Sequence, residues 1–347
     1  GQNGNAALPA ALTAELTLRY PDGHTDTICT DASWQTAESA VRFSELYDGE
    51  TYDAAFEPSV WTPAMIYDGP TDTLIEQQGE PVREQERIAP ARIFKTPAGE
   101  IVVDFGQNLT GYVEIALDGV KGEAVELSHA EVLDKNGNFY TENYRSAKAK
   151  YLYFCKDGAQ RYKPKLTFYG FRYIRVDRFP GGAENAAPEN FTAIAVHSDM
   201  KRTGSLSCSD PLLNKLFENV IWGQKDNFLD VPTDCPQRDE RLGWTGDAQV
   251  FIRTACLNFD AERFFTKWLA DLAADQREDG AVGHVIPNIL HQSGSAAWDD
   301  AATICPWAVY LAYGNPSILR AQFASMKKWV DYITAHTTTR DLWTGGE

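Results

Sequence analysis

The sequence predicts a multidomain β-plus-α protein, in which β segments with the spacing of a sandwich precede helices wound as an α/α toroid. Three observations carry this. Up to about residue 198, short apolar runs alternate with polar residues and are broken by Gly-containing turns. From residue 209 the apolar period becomes that of a helix. The helical segments that follow are joined by loops alternately long and short, as an α/α toroid is wound.

Taken in order, residues 1–70 read as β. Ala14–Tyr20 alternates through Leu16, Leu18 and Tyr20 into the turn Pro21-Asp22-Gly23, and Thr25–Cys29 returns antiparallel. Residues 71–90, rich in Pro, Gly and Gln, read as a linker. Residues 91–200 form a second β unit of the sandwich kind. Its runs are Ile101–Phe105, a turn at Asn108-Leu109-Thr110-Gly111, Tyr112–Leu117, Ala124–Leu127, Tyr151–Cys155 and Phe168–Val176.

Residues 201–347 are helical. The first helix has Ser209 as N-cap, Pro211 in its first turn, and Leu212, Leu213, Leu216, Phe217, Val220 and Ile221 on one face. A second runs near Ala248–Asn258. A third, over 261–278, is capped by Asp260 and presents Phe264, Phe265, Trp268, Leu269 and Leu272. A long loop, 280–297, leads to a helix near 299–313 that carries Pro306. The last, 317–335, has Asn315 as N-cap, Pro316 at its start, and Phe323, Met326, Trp329, Val330 and Ile333 on its face.

The 347 residues allow two or three domains. A net charge of −17 argues against nucleic acid and anionic membranes as partners and suits a neutral one. No apolar run of about 18 residues spans a membrane. The start, Gly1-Gln2-Asn3-Gly4, has no Met, no basic region and no apolar region, and reads as trimmed or internal. The expected compartment is a soluble one, cytoplasm or periplasm; the oligomeric state stays open, a homo-oligomer included. Cys29, Cys155, Cys208, Cys235, Cys256 and Cys305 lack CxxC or metal spacing and read as free thiols. With no HExxH, no DxDxDG and no phosphate-cradling loop, neither metal nor cofactor is expected.

The most informative segment is 230–247, between the first two helices. It holds five carboxylates, two arginines and Trp244, broken by two prolines and two glycines. A core segment does not carry that charge unpaired. Carboxylates among guanidinium groups with one aromatic face suit an uncharged, oxygen-rich ligand, that is, a sugar, and also two-carboxylate cleavage of a glycosidic bond. Read blandly, the same residues form a salt-bridged helix cap. For acid chemistry Glu240 is well placed, with Asp239 beside it and Asp234 and Asp247 six and seven residues away; Arg238 and Arg241 pull its pKa the other way.

The literal string Pro-Thr-Asp-Cys-Pro-Gln-Arg-Asp-Glu-Arg-Leu-Gly-Trp-Thr-Gly-Asp-Ala-Gln, residues 232–249, resembles the signature of the α-L-rhamnosidases of glycoside hydrolase family 78. Trp34, residues 47–54 and Trp61 resemble the end of that family's N-terminal β-sandwich, so 1–70 is expected to be the end of such a domain. Residues 104–108 and 170–173 resemble its second sandwich. The resemblance implies an (α/α)6 catalytic barrel over 201–347, cut at roughly its midpoint. It implies an inverting release of terminal α-L-rhamnose from glycosides or polysaccharides, with Glu240 as general acid. It implies Asp234 and Asp247 on sugar hydroxyls, Arg238 and Trp244 on rhamnose, and Trp298, in Trp298-Asp299-Asp300, as a sugar platform. The family's base, a glutamate far into the second half of the barrel, matches no position here. Asp299 and Asp300 read equally well as helix caps. Two alternatives stand beside this: a non-catalytic carbohydrate-binding fragment, and an (α/α)6 glycosidase or phosphorylase for another sugar.

Overall fold

A computed structural model describes residues 11–67, 69, 74–337 and 343. The N-terminal hairpin forms as the alternation predicts: Glu15–Arg19 pairs antiparallel with Thr25–Cys29. Most of the β structure is one ten-stranded sheet. Its order runs Val41–Glu45, Gly49–Asp53, Lys150–Phe154, Ala124–Ala130, Tyr169–Arg178, Ile101–Gly119, Phe191–Ser198 and Val82–Ile88; Arg92–Lys95 and Gly158–Tyr162 also pair with the 101–119 strand. All pairings in it are antiparallel except Gly49–Asp53 with Lys150–Phe154. Two strands from the first 70 residues thus join this sheet, and the segment read as a linker ends in strand Val82–Ile88.

The turn expected at Asn108–Gly111 is absent. Ile101–Gly119 is one strand of 19 residues that changes partners along its length. Arg92–Lys95 lies against 101–104, Tyr169–Arg178 against 102–111, and Phe191–Ser198 and Gly158–Tyr162 against its second half. Buried residues at successive positions, such as Val102 and Val103, replace simple alternation because both faces are covered. The core includes Val103, Leu109, Val113, Leu127, Tyr151, Phe171 and Phe191.

Five α-helices follow among the described residues: α1 (Pro211–Asn227), α2 (Thr245–Asn258), α3 (Glu262–Asp275), α4 (Ala301–Tyr313) and α5 (Ser317–His336). The cap of α1 is Asp210, not Ser209; its carboxylate accepts the Leu212 N–H at 2.8 Å. Asp260 does not cap α3, whose N-cap is Ala261. Asn315 sits one residue before the N-cap of α5, but its side-chain Oδ1 still accepts the Ser317 N–H at 3.1 Å. Gly314 ends α4 in the left-handed region, φ +71, which spares a Cβ clash. Phe264, Phe265, Trp268, Leu269 and Leu272 of α3 are all buried, as their spacing predicts. The face expected on α1 is buried only toward its end: Ile221 is buried and Phe217 packs on the core, whereas Leu212, Leu213 and Leu216 are exposed; Gln224 and Asp226 are buried with Ile221. On α5 the buried line is Ile318, Gln322, Ser325 and Trp329, with Phe323 and Val330 outside. Helix α4 packs on α2, α3 and α5. No helix among the described residues is long and apolar enough to cross a membrane, and all six cysteines are free of disulfides.

Candidate active site

The charged segment lies between α1 and α2 and is a folded loop. It opens as a two-residue antiparallel pair, Phe228–Leu229 with Val231–Pro232, turning at Asp230 (φ +65). Its neck is tied twice: the Asp234 N–H donates to the Leu242 carbonyl at 3.1 Å, and the Leu242 N–H to the Asp234 carboxylate at 3.1 Å. Within the neck Arg238 donates to Asp234 Oδ2 at 2.8 Å and to Glu240 Oε2 at 2.7 Å. One guanidinium therefore joins two of the carboxylates singled out by sequence.

Arg241 does not act on Glu240 as expected. It is 5% exposed, at φ +54, and points away into the junction with the sheet domain. There it donates to four carbonyls: Arg238 (3.2 Å), Leu46 (2.8 Å), Phe168 (2.7 Å) and Gln237 (3.0 Å). The guanidinium that does reach Glu240 from outside the loop is Arg145, which bonds to Oε2. Ser146 donates to Asp239, and the Tyr47 hydroxyl donates to the Glu240 carbonyl at 2.7 Å. Gly170 lets the loop sit close, since a Cβ there would lie 2.7 Å from Pro236 Cγ. Sequence reasoning missed Tyr47, Arg145 and Ser146; they lie 193, 95 and 93 residues from their partners and belong to no local pattern.

Beside the neck opens a cavity of about 650 Å³, bordered by Asn227, Asp234, Asp247, Phe251 and Trp298 among others. Asp234, Asp247 and Trp298 thus share one wall system, and Arg238 and Glu240 join it through Asp234. Trp298 lies flat against the start of α2, where a Cβ on Gly246 would meet its ring at 3.0 Å. Trp244 does not border the cavity. Its backbone bridges to Val285, and its indole N–H is buried with no hydrogen-bond partner among the described residues.

Burial and charge separate the carboxyls. Burial pushes Asp234 up from the ordinary range, and the charge of Glu240 adds to this. Asp247 is likewise raised, by partial loss of water and then by Glu240. For Glu240 burial also acts upward, but hydrogen bonds from Arg238 and Arg145 outweigh it and hold the carboxyl below its usual value. Cys235 is buried, and its thiol is pushed up to about 12, which rules out a ready thiolate. Asp234, Cys235 and Glu240 offer donor atoms within 4.8 Å of one another. A protonated thiol and two carboxylates already bound to Arg238 make a poor cation site.

Asp299 and Asp300 serve the fold. Asp299 is fully buried and accepts the Gly294 and Ser295 N–H groups at 2.5 and 2.9 Å. Asp300 accepts the Ala297 N–H at 2.9 Å and the Trp329 indole at 3.0 Å, and its side chain caps no helix. His284 is buried, with Nε2 4.0 Å from Asp299.

A sheet domain followed by helices, with a cleft bordered by carboxylates and an indole, defines a multidomain β-plus-α protein. Residues 2–86 match the alpha-L-rhamnosidase N-terminal domain, 94–197 the bacterial alpha-L-rhamnosidase concanavalin-like domain, and 201–347 the bacterial alpha-L-rhamnosidase 6 hairpin glycosidase domain. The chain belongs to the α-L-rhamnosidase family. It is 38% identical over 340 residues to an alpha-L-rhamnosidase of Streptomyces avermitilis, covering 94% of this chain and 33% of that one. It is also 38% identical over 340 residues to one of Alteromonas sp., covering 93% and 36%. The crystal structure of the Streptomyces avermitilis enzyme complexed with L-rhamnose superposes with a TM-score of 0.89 at 38% identity, over 94% of this chain and 33% of that one. That of the native Aspergillus terreus enzyme gives 0.86 at 38%, over 92% and 38%. The chain spans about a third of the length of these relatives.

Proposed function

We propose that this chain carries the acid side of an inverting α-L-rhamnosidase site that releases terminal α-L-rhamnose from glycosides or polysaccharides. The observation that carries the reading is the joining of Asp234, Arg238 and Glu240 at a cleft bordered by Asp247 and Trp298. It occurs in a chain 38% identical to an enzyme whose structure is described as complexed with L-rhamnose. In this reading Glu240 donates its proton to the departing glycosidic oxygen. Water attacks the anomeric carbon from the opposite face, and a base takes the water's proton. Asp234 and Asp247 hold sugar hydroxyls, Arg238 holds both the sugar and the acid, and the indole of Trp298 takes the apolar face that the C6 methyl gives rhamnose. The base lies outside these 347 residues. In support, Asp299 and Asp300 are committed to backbone and indole N–H groups.

A general acid must hold a proton, whereas hydrogen bonds from two guanidinium groups outweigh burial and hold the Glu240 carboxyl below its usual range. The reading therefore requires substrate to strip water from the carboxyl and draw Arg238 toward the sugar, both of which raise its pKa. The same pairing of the carboxyl with two guanidinium groups favours the second reading, a carbohydrate-binding fragment that does not cleave. We further read α1–α5 as the opening part of an (α/α)6 toroid; in support, exposed apolar residues on α1, α2 and α4, among them Leu212, Val250, Leu257 and Trp307, offer faces for further helices.

The test is hydrolysis of p-nitrophenyl α-L-rhamnoside, and calorimetric binding of L-rhamnose, by the chain and by Glu240→Gln. Binding by both without hydrolysis supports an acid side lacking its base. Hydrolysis abolished in Glu240→Gln supports the acid role and moves the base inside the chain. Hydrolysis that survives the substitution ends the acid role, and absence of both binding and hydrolysis ends the proposal.

A further inference from the structure

Glu240 is held from two domains. Arg238 comes from its own loop. Arg145 comes from the sheet domain, directly after the short 3-10 turn Glu142–Tyr144. Its backbone is at φ +55, a region that non-glycine residues seldom occupy without support. The support is visible on both sides. Tyr144 is fully buried and its hydroxyl donates to the Gly170 carbonyl, while Ser146 donates to Asp239. Arg145 thus leaves a pinned turn and lies across the loop, with Nη2 on Glu240 Oε2 and Nε 3.7 Å from Asp239.

We propose that Arg145 is a positioning residue for Glu240: the sheet domain reaches into the site through this one guanidinium to fix the orientation and the protonation of the carboxyl. The charged groups around Glu240 divide by origin. From its own loop come Arg238, Asp234 and Asp239; from α2 comes Asp247; from the sheet domain comes Arg145. Without Arg145, one cation would face three neighbouring carboxylates, and the proton would be held more tightly. The significance of this for catalysis rests on the acid role proposed above, whereas the effect on the carboxyl does not.

The experiment is a 13C NMR titration of the full chain labelled at the glutamate carboxyls, with the Glu240 signal assigned by its loss in Glu240→Gln. The Glu240 midpoint should rise by about 1 pH unit in Arg145→Met, the lower end of the effect of a guanidinium neighbour because Arg145 is half exposed. Arg145→Lys, which restores the charge without the fork, should bring most of it back. An unmoved midpoint in Arg145→Met overturns the proposal. So does a rise that Arg145→Lys fails to reverse, since that points to a collapsed turn rather than a lost charge. Should Arg145→Met not fold, Arg145→Gln takes its place under the same two criteria. L-rhamnose calorimetry on the same samples keeps the questions apart: a chain that binds no rhamnose sinks the enzymatic reading and leaves the titration result standing.

Discussion

Arg241→Met should be among the most damaging single substitutions outside the apolar core. The guanidinium is buried, has no carboxylate partner among the described residues, and is satisfied by four backbone carbonyls at 2.7–3.2 Å. Two of these, Arg238 and Gln237, belong to the loop that carries Glu240. The other two, Leu46 and Phe168, belong to segments around the sheet. Each hydrogen bond to a charged donor contributes about 1.5–3 kcal/mol. Desolvation of the buried charge cancels a large part of that sum. Methionine fills much of the volume and avoids the desolvation cost; the Leu46 and Arg238 carbonyls keep donors in the Thr167 hydroxyl (3.0 Å) and the Glu240 N–H (2.8 Å), but those of Phe168 and Gln237 lose theirs, at about 1–3 kcal/mol each before water enters. The net expectation is a loss of about 3–5 kcal/mol, the range for breaking a buried charged network. Arg241→Lys keeps the charge but not the fork, and should lose about 2 kcal/mol. The assay is urea unfolding followed by tryptophan fluorescence, with the slope checked for an unchanged unfolding transition. A loss below about 1 kcal/mol for Arg241→Met would refute the claim that this guanidinium joins the loop to the sheet domain.

Three further outcomes follow from the geometry. Gly170→Ala puts a methyl 2.7 Å from Pro236 Cγ and 2.9 Å from its carbonyl carbon, and should cost about 1–3 kcal/mol in urea unfolding as the loop is pushed off its seat. Trp298→Ala removes the indole wall of the cavity, and calorimetry should show L-rhamnose binding weakened about tenfold, equivalent to roughly 1.4 kcal/mol. Asp104 is buried; burial alone would raise its carboxyl, but the fork from Arg172, at 2.8 and 3.0 Å, holds it below the usual range. A lowered folded-state pKa gives stability that is present above the unfolded value, about 3.9, and is lost as pH falls through the folded value. Acid unfolding should therefore show Asp104→Asn less stable than the parent at neutral pH and converging on it as the pH falls below the unfolded value; curves that stay parallel there would contradict the assignment.

The parts of the fold that rest on local patterning were legible in the sequence. The N-terminal hairpin and the buried stripe of α3 each depend on residues a few positions apart. The long strand 101–119 was read as two because Asn108–Gly111 has turn composition. What decides against a turn is the set of strands that cover it, 50 to 90 residues further on. The candidate site divides the same way. Asp234, Arg238 and Glu240 come together because one short loop closes on itself, and a motif can carry that. Arg145 takes the place expected of Arg241, because which guanidinium reaches the carboxylate depends on where the sheet domain lies, and the loop's own sequence says nothing of that.

The helix faces argue the converse point. Periodicity identifies an apolar stripe but not what covers it. On α3 the stripe is buried by α4 and α5, whereas on α1 the equally regular Leu212, Leu213 and Leu216 are exposed, beside Val250 and Leu257 on α2. Exposed leucines one at a time are ordinary, but a run of them along a helix is costly to leave in water, at about 25 cal/mol per Å² of apolar surface. The 3.6-residue pattern was therefore a correct statement about the sequence and an incomplete one about these residues in isolation. If the toroid reading holds, α1 and α2 should gain protection from amide exchange when the chain is extended by further helical sequence of its relatives' kind, while α3 should not change. Equal protection of all three helices in both chains would mean that these faces need no further partner.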